Sequence, residues 1–276
     1  MAQVITRPLR VRLHPDWFSG IVPVSTEGDS RELLLRNLGT VPTYVLEGSQ
    51  DRNIRGVGGP RSLNLILNAF GYDLVYREFS DRAHEGFAEH YPDVLRWLDN
   101  RPRGLARRHV LRVPYSGIVP VSRRVHWIET DTRQGFVNAR AAGRTQIEID
   151  ARWVSEITLF LNDRLVNLDE PITVRVNGEV VHEGRLERSM RVALEEARRL
   201  GDERRVYAAR LTVAVPTTAA SIAHGTRIWN AITPTQPEGT LSFWEMYAVN
   251  ALEERVATVG FEGRQAPLPT SGPTIS

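Results

Sequence analysis

The chain has 276 residues, of which 41% are hydrophobic and 25% charged, so it is long enough for two folded domains and too apolar for a disordered protein. All 35 basic residues are arginine, but 33 acidic residues are spread among them and the net charge is only +2, which argues against a nucleic-acid-binding protein. Because the chain has no cysteine, disulfides, a thiolate nucleophile and a cysteine-based metal site are excluded. No apolar run reaches about 18 residues, so no membrane span is expected. The first residues lack an apolar core, so no signal peptide is expected in this chain, and the compartment stays open.

Residues 1–100 alternate between strand and helix patterns. Two short apolar runs, at 20–25 and 43–46, are typical of strands that are covered on both faces, and a third strand is expected at 74–79. One helix is expected between the second and third runs, opened by Pro60 and stopped by Gly71. A second short helix is expected at about 91–98. Strand and helix in this order predict a parallel sheet with helices on its faces, which belongs to the α/β fold class.

The pattern changes after a basic, proline-containing stretch at 101–124, which we interpret as a linker. Residues 125–216 contain several short strand-like runs separated by turns, which predict an all-β, sandwich-like domain. Its clearest element is a hairpin in which β-branched residues flank Asn177-Gly178, the signature of a type I′ turn.

Two further helices are predicted in the second half of the chain. One is inserted in the β domain, with Ser189 as its N-cap and Gly201 at its end. The other belongs to a C-terminal helical segment at 217–276, where a capping box at Ser242 opens a helix that runs to about Arg255, followed by a loose tail.

Two polar residues follow consecutive strands of the predicted sheet. Asp51 lies in the turn after the 43–46 run, and His84 lies in the loop after the 74–79 run. Since the carboxyl ends of parallel strands meet at one edge of a sheet, an acid and a histidine there can form the acid and base of a hydrolase triad. Each residue alone has a simpler interpretation, an Asx turn for Asp51 and a surface loop for His84. Their order along the chain favours the functional pair.

A family resemblance supports this interpretation. The segments that carry it are His14-Pro15-Asp16-Trp17-Phe18-Ser19-Gly20-Ile21-Val22-Pro23-Val24-Ser25, the turn Gly48-Ser49-Gln50-Asp51, and the strand and loop from Tyr72 to His84. In order and spacing they resemble the last part of an α/β-hydrolase, closest to serine esterases and prolyl-oligopeptidase-like peptidases. The later β region and the helix at 243–248 more loosely resemble the appended region of some large bacterial members.

The resemblance covers residues 14–98 and implies a partial α/β-hydrolase fold for residues 1–100. It implies that Asp51 is the orienting acid and His84 the general base of a serine hydrolase that cleaves an ester or peptide bond. It implies no cofactor.

The nucleophile of this family lies in a Gly-x-Ser-x-Gly elbow, and the sequence contains no such motif. Counting back from His14 places the expected serine at or before Met1, so the resemblance implies a truncated or mis-assigned start and an inactive chain. Ser25 and Ser49 are alternative nucleophiles. Neither lies in a strand-to-helix elbow, and turn hydrogen bonds are the simpler role for both.

Two functional hypotheses therefore stand beside each other. The chain is either the acid- and base-bearing part of a serine hydrolase or a catalytically inactive, hydrolase-derived binding or scaffold protein. The apolar edge of a partial sheet predicts pairing with a second copy or another chain. A metal site would have to use His84, Glu85, Glu89 and His90, which lack the helical spacing of a zinc motif, so no metal is expected.

Overall fold

The computed structural model describes residues 12, 14–25, 35–54, 59–101, 107–114, 121–201 and 206–232. These residues contain four α-helices and eleven strands, and the strands form three sheets. The structure is therefore mixed, with strands as its main component. Among the helices of these ranges, none has both the length and the apolar character needed to cross a bilayer.

The first part of the chain is a small parallel sheet. Strand β1 (Thr43–Gly48) pairs in parallel with β2 (Leu74–Phe79). On the other side of β1, Ile21 and Val24 form two isolated parallel bridges, so the predicted run at 20–25 lies where a third strand would lie but pairs only at these points. The predicted parallel arrangement is confirmed.

Two helices cover opposite faces of this sheet. They are α1 (Pro60–Ala69) and α2 (Tyr91–Asp99), close to their predicted bounds. Leu67 of α1 is buried in one apolar cluster with Val45, whereas Leu98 of α2 is buried in another with Leu46. Val45 and Leu46 are neighbours in β1, and neighbouring residues of a strand point to opposite faces of the sheet. With a helix on each face, β1 is buried along its whole length.

The described residues between 107 and 216 form two sheets around one core. Their strands are β3 (His109–Arg112), β4 (Arg124–Val125), β5 (Ile128–Thr130), β6 (Phe136–Ala141), β7 (Gln146–Arg152), β8 (Glu156–Leu161), β9 (Ile172–Val176), β10 (Glu179–Gly184) and β11 (Ala209–Ala214). One sheet has the order β10-β9-β7-β6-β3 and the other β11-β8-β5-β4. Buried residues of both, such as Ile149 and Leu159, share one apolar cluster, as expected of a sandwich.

Two local predictions in this region are confirmed. The β9–β10 hairpin turns at Asn177 and Gly178, whose φ angles of 51° and 86° are both positive, as a type I′ turn requires. Helix α3 (Met190–Leu200) begins after Ser189, whose Oγ accepts a hydrogen bond from the Val192 N–H at 3.4 Å. It ends at Gly201, which has a φ of 56°.

The stretch at 101–124 is not purely a linker, because His109–Arg112 forms β3 and pairs with β6. The strand is short, and two of its four residues are basic, so its pattern did not indicate a strand. Arg112 is nevertheless fully buried, and its guanidinium donates to carbonyl oxygens that include those of Ser122 and Arg133. Burial lowers the pKa of Arg112 to about 10.

A helix that the sequence did not predict, α4 (Ala219–Ile232), packs against β7. The His224 ring lies 2.7 Å from an Asp150 carboxylate oxygen, and Gly225 lies directly against the backbone carbonyl of Ala151. The helix predicted from Ser242 lies outside the described ranges.

Replacing Gly225 by Ala should lower the free energy of unfolding by about 1–3 kcal/mol, because the new Cβ would overlap the Ala151 carbonyl oxygen. Urea unfolding would measure the effect. Gly143→Ala is the matched control, since a Cβ at Gly143 meets no atom within 4 Å. Equal stability of the two variants would show that α4 does not pack this closely on β7.

Candidate functional site

The site residues predicted from the sequence lie together at the carboxyl edge of the parallel sheet. Asp51 follows β1 and His84 follows β2. Because the two strands run in parallel, their following loops leave the sheet on the same side, and His84 Nδ1 lies 2.8 Å from Asp51 Oδ2. The two side chains form a hydrogen-bonded acid–histidine dyad.

The Asp51 carboxylate is buried and ionised. Its side chain is only 2% exposed, and its Oδ1 accepts the Asn53 N–H at 2.9 Å, so the simple Asx-turn role and the dyad role coexist. Burial raises the pKa of this carboxyl group, but the hydrogen bond from Asn53 and the interactions with Glu47 and His84 outweigh burial. The pKa of Asp51 therefore lies below its usual value.

The His84 ring, in contrast, projects into solvent, with 64% of its side chain exposed. An ionised carboxylate can only accept, so Nδ1 carries the proton that it donates to Asp51. The hydrogen bonds within the described ranges leave Nε2 without a partner. In the neutral ring with the proton on Nδ1, Nε2 carries the lone pair that a general base needs.

The turn with the acid and the loop with the base pack directly on each other. A side chain at Gly48 would collide with the carbonyl groups of Arg82 and Ala83, so only glycine fits there. Across the same contact the Gln50 N–H donates to the Arg82 carbonyl at 2.8 Å, and Ser49 Oγ accepts the Asp81 N–H at 3.0 Å. Ser49 therefore has the turn role that was its simpler interpretation.

Ser25 has a role that the sequence did not predict. Its Oγ donates to the Glu85 carbonyl at 2.7 Å and accepts the Glu85 N–H at 3.1 Å, which ties the end of the 21–24 segment to the residue next to His84. Its φ of 43° places it in the left-handed region. Since the hydroxyl proton is donated to a carbonyl, Ser25 does not hydrogen-bond His84 as a nucleophile would. Its position after a strand-like run gave no signal of this contact.

The alternative metal ligands are engaged elsewhere. Arg82 binds Glu85 at 2.6 Å and Glu89 at 2.9 Å, and the His90 ring stacks on Phe79 with 4.2 Å between centroids. Within the described ranges, no group of three or more His, Asp or Glu side chains is arranged to hold a metal ion.

Comparison with protein-family models, with curated proteins and with solved structures found no match to this chain. The chemistry of the site therefore rests on its own geometry. The buried, ionised carboxylate of Asp51 accepts a hydrogen bond from the exposed imidazole of His84. Packing between the turn after β1 and the loop after β2 holds the two side chains in position.

Replacing Asp51 by Asn should lower the free energy of unfolding at pH 7 by about 1–2 kcal/mol, because two hydrogen bonds to a charged group are weakened. The pKa of Asp51 is depressed in the folded state, so this stabilisation is complete above the unfolded-state pKa of about 3.9 and is lost as the pH falls through the folded value. Urea unfolding at pH 7 and at about pH 3 measures the change.

The difference between wild type and Asp51→Asn should shrink at the lower pH. Asp99→Asn, at the exposed end of α2, is the control and should have little effect at neutral pH. A difference for Asp51→Asn that stays constant between the two pH values would contradict the ionised state assigned to the carboxylate.

Replacing Ser25 by Ala should loosen the His84 loop, because both hydrogen bonds to the Glu85 backbone are lost. We expect faster hydrogen exchange at the Glu85 amide and a loss of about 1–2 kcal/mol of unfolding free energy. Ser155→Ala, at an exposed position of the sandwich, is the control. Unchanged exchange at Glu85 would show that the hydroxyl is not a tether.

Proposed function

We propose that Asp51 and His84 are the acid and base of a serine-hydrolase site of the α/β-hydrolase type, which cleaves an ester or peptide bond. The observation that carries the proposal is the 2.8 Å contact between Asp51 Oδ2 and the Nδ1 of an exposed His84 ring, at the carboxyl edge of a parallel sheet. In this role His84 takes the proton of the attacking hydroxyl and later passes it to the leaving group. The Asp51 carboxylate holds the tautomer and stabilises the imidazolium that forms between these steps.

A hydrolase of this type also needs a nucleophilic hydroxyl close to His84. The sequence has no Gly-x-Ser-x-Gly elbow, and the hydroxyls of Ser25 and Ser49 both bond to the backbone around His84. We infer that the serine comes from polypeptide outside the described ranges and reaches Nε2 from the solvent side. The exposure of the His84 ring is consistent with such an approach.

The engagement of these two serines also favours a second candidate, in which the chain is a non-catalytic binding or scaffold protein. On this reading the Asp51–His84 hydrogen bond only stabilises the loop. Activity measurements separate the two candidates.

Replacing His84 by Gln tests the dyad. We expect the purified chain to hydrolyse p-nitrophenyl acetate slowly through the exposed imidazole and the variant to lose about tenfold or more of this rate, because the base is removed. His182→Gln, on the β10 hairpin, is the matched control and should keep the wild-type rate.

A fluorophosphonate probe completes the test. We expect no labelling of the chain, because no described serine hydroxyl is hydrogen-bonded to His84. Equal rates for His84→Gln and His182→Gln would favour the binding protein, and a labelled serine would contradict the inference that the nucleophile lies elsewhere.

A further inference from the structure

A polar cavity lies where the parallel sheet meets the sandwich. It has a volume of about 270 Å³, and its lining includes Arg36, Tyr72 and the consecutive residues Arg107, Arg108 and His109. Tyr72 comes just before β2, at the edge of the sheet opposite to the one where Asp51 and His84 lie. The cavity is therefore separate from the dyad.

The lining of this cavity carries positive charge without a balancing acid. It contains three arginines and no Asp or Glu. Elsewhere arginines pair with carboxylates, as in Arg61–Glu78 and Arg188–Asp163. Within the described part of the chain, the three arginines of the cavity form no ion pair with an acid.

Two of these guanidiniums also have unused donors. The Nε atoms of Arg36 and Arg107 are buried and have no hydrogen-bond partner in the described structure. A buried N–H without a partner is costly, and buried polar groups are nearly always paired. Burial lowers the pKa of Arg107, and the charge of Asp73 offsets this only in part, so its guanidinium would gain from a further negative charge nearby.

The third arginine, Arg108, adds positive charge, but its guanidinium N–H groups are already engaged. Arg108 donates to the carbonyl oxygens of Leu165 at 3.0 Å and of Ala141 at 2.7 Å, so its guanidinium is held by backbone. It raises the positive potential of the cavity, while Arg36 and Arg107 supply the donors.

The two donor arginines are also held in place before any ligand arrives. The Arg36 guanidinium lies 4.4 Å above the centre of the Phe70 ring, and its carbonyl oxygen accepts the Tyr72 hydroxyl at 2.9 Å. The Arg107 carbonyl oxygen accepts the indole N–H of Trp127 at 2.7 Å. The Arg36 guanidinium therefore has little ordering cost left for binding, and for Arg107 it is the backbone that is held.

We propose that this cavity binds a phosphate dianion, either inorganic phosphate or the phosphate group of a monoester. Three guanidiniums without a carboxylate are balanced better by a dianion than by a monoanion. The planar forks of Arg36 and Arg107 match the oxygens of a tetrahedral phosphate.

Titration calorimetry on the whole chain tests this, with inorganic phosphate, phenyl phosphate and acetate compared at one ionic strength set by sodium chloride. We expect saturable one-to-one binding of phosphate and weaker or no binding of acetate. Binding of phenyl phosphate as well assigns the site to phosphate monoesters, whereas binding of phosphate alone assigns it to the free ion. Equal heats for acetate, or no saturable binding of either phosphate probe, would overturn the proposal.

Arg107→Gln and Arg36→Gln should each weaken phosphate binding by about 10-fold to 100-fold, as expected when a charged hydrogen bond is lost. Both substitutions keep the backbone carbonyl contacts, and each serves as a check if the other variant folds poorly. Arg96→Gln, on the exposed face of α2, should bind like wild type. His84→Gln should also bind like wild type, so this result is independent of the hydrolase proposal. Wild-type affinity in both cavity variants would overturn the site.

Discussion

The close contact between the turn after β1 and the loop after β2 is the constraint on which the site depends. Parallel pairing brings the ends of the two strands to one edge, but it does not by itself bring two side chains within hydrogen-bonding distance. Gly48 does so, because the absence of a side chain lets the Arg82 and Ala83 carbonyls approach. The Gln50 N–H then satisfies the Arg82 carbonyl, so the contact is polar and specific.

The Asp51–His84 pair differs in exposure from the buried ion pair Arg124–Glu196. In Arg124–Glu196 both side chains are buried, 9% and 4% exposed, and the arginine also lies over the Phe160 ring. Such a pair is part of the buried interior. In the dyad only the acid is buried, and the imidazole has one nitrogen fixed and the other open. This exposure is compatible with the proton transfer that we propose for His84, which needs an accessible imidazole.

Sequence patterns were sufficient where local rules decide the structure. Residue pattern was enough to predict β1 and β2. Helix-capping rules predicted the end of α1 at Gly71, and turn chemistry predicted the Asn177-Gly178 turn. The placement of Asp51 and His84 followed from the same pattern, because parallel strands impose a common edge.

The missed features depend on contacts between distant residues. β3 has too few apolar residues to stand out, and its buried Arg112 is satisfied by carbonyls that only the fold brings near. The Ser25 tether spans 60 residues. Helix α4 did have a local signal, since Thr218 Oγ1 accepts the Ser221 N–H as an N-cap would, but its apolar face is weak and depends on Gly225 reaching β7.

The junction between the parallel sheet and the sandwich explains why an arginine-lined cavity can persist there. The Asn37 side chain accepts the Val113 N–H at 2.8 Å and donates to the Val113 carbonyl at 3.1 Å, which fastens the segment before β1 to the sandwich. Thr40 adds a 3.1 Å contact with the His126 ring. With both walls held by such contacts, the cavity keeps its arginine lining. Asp73 offsets the burial of Arg107 only in part, so the remaining charge of Arg36 and Arg107 is left for solvent or for the anion that we propose.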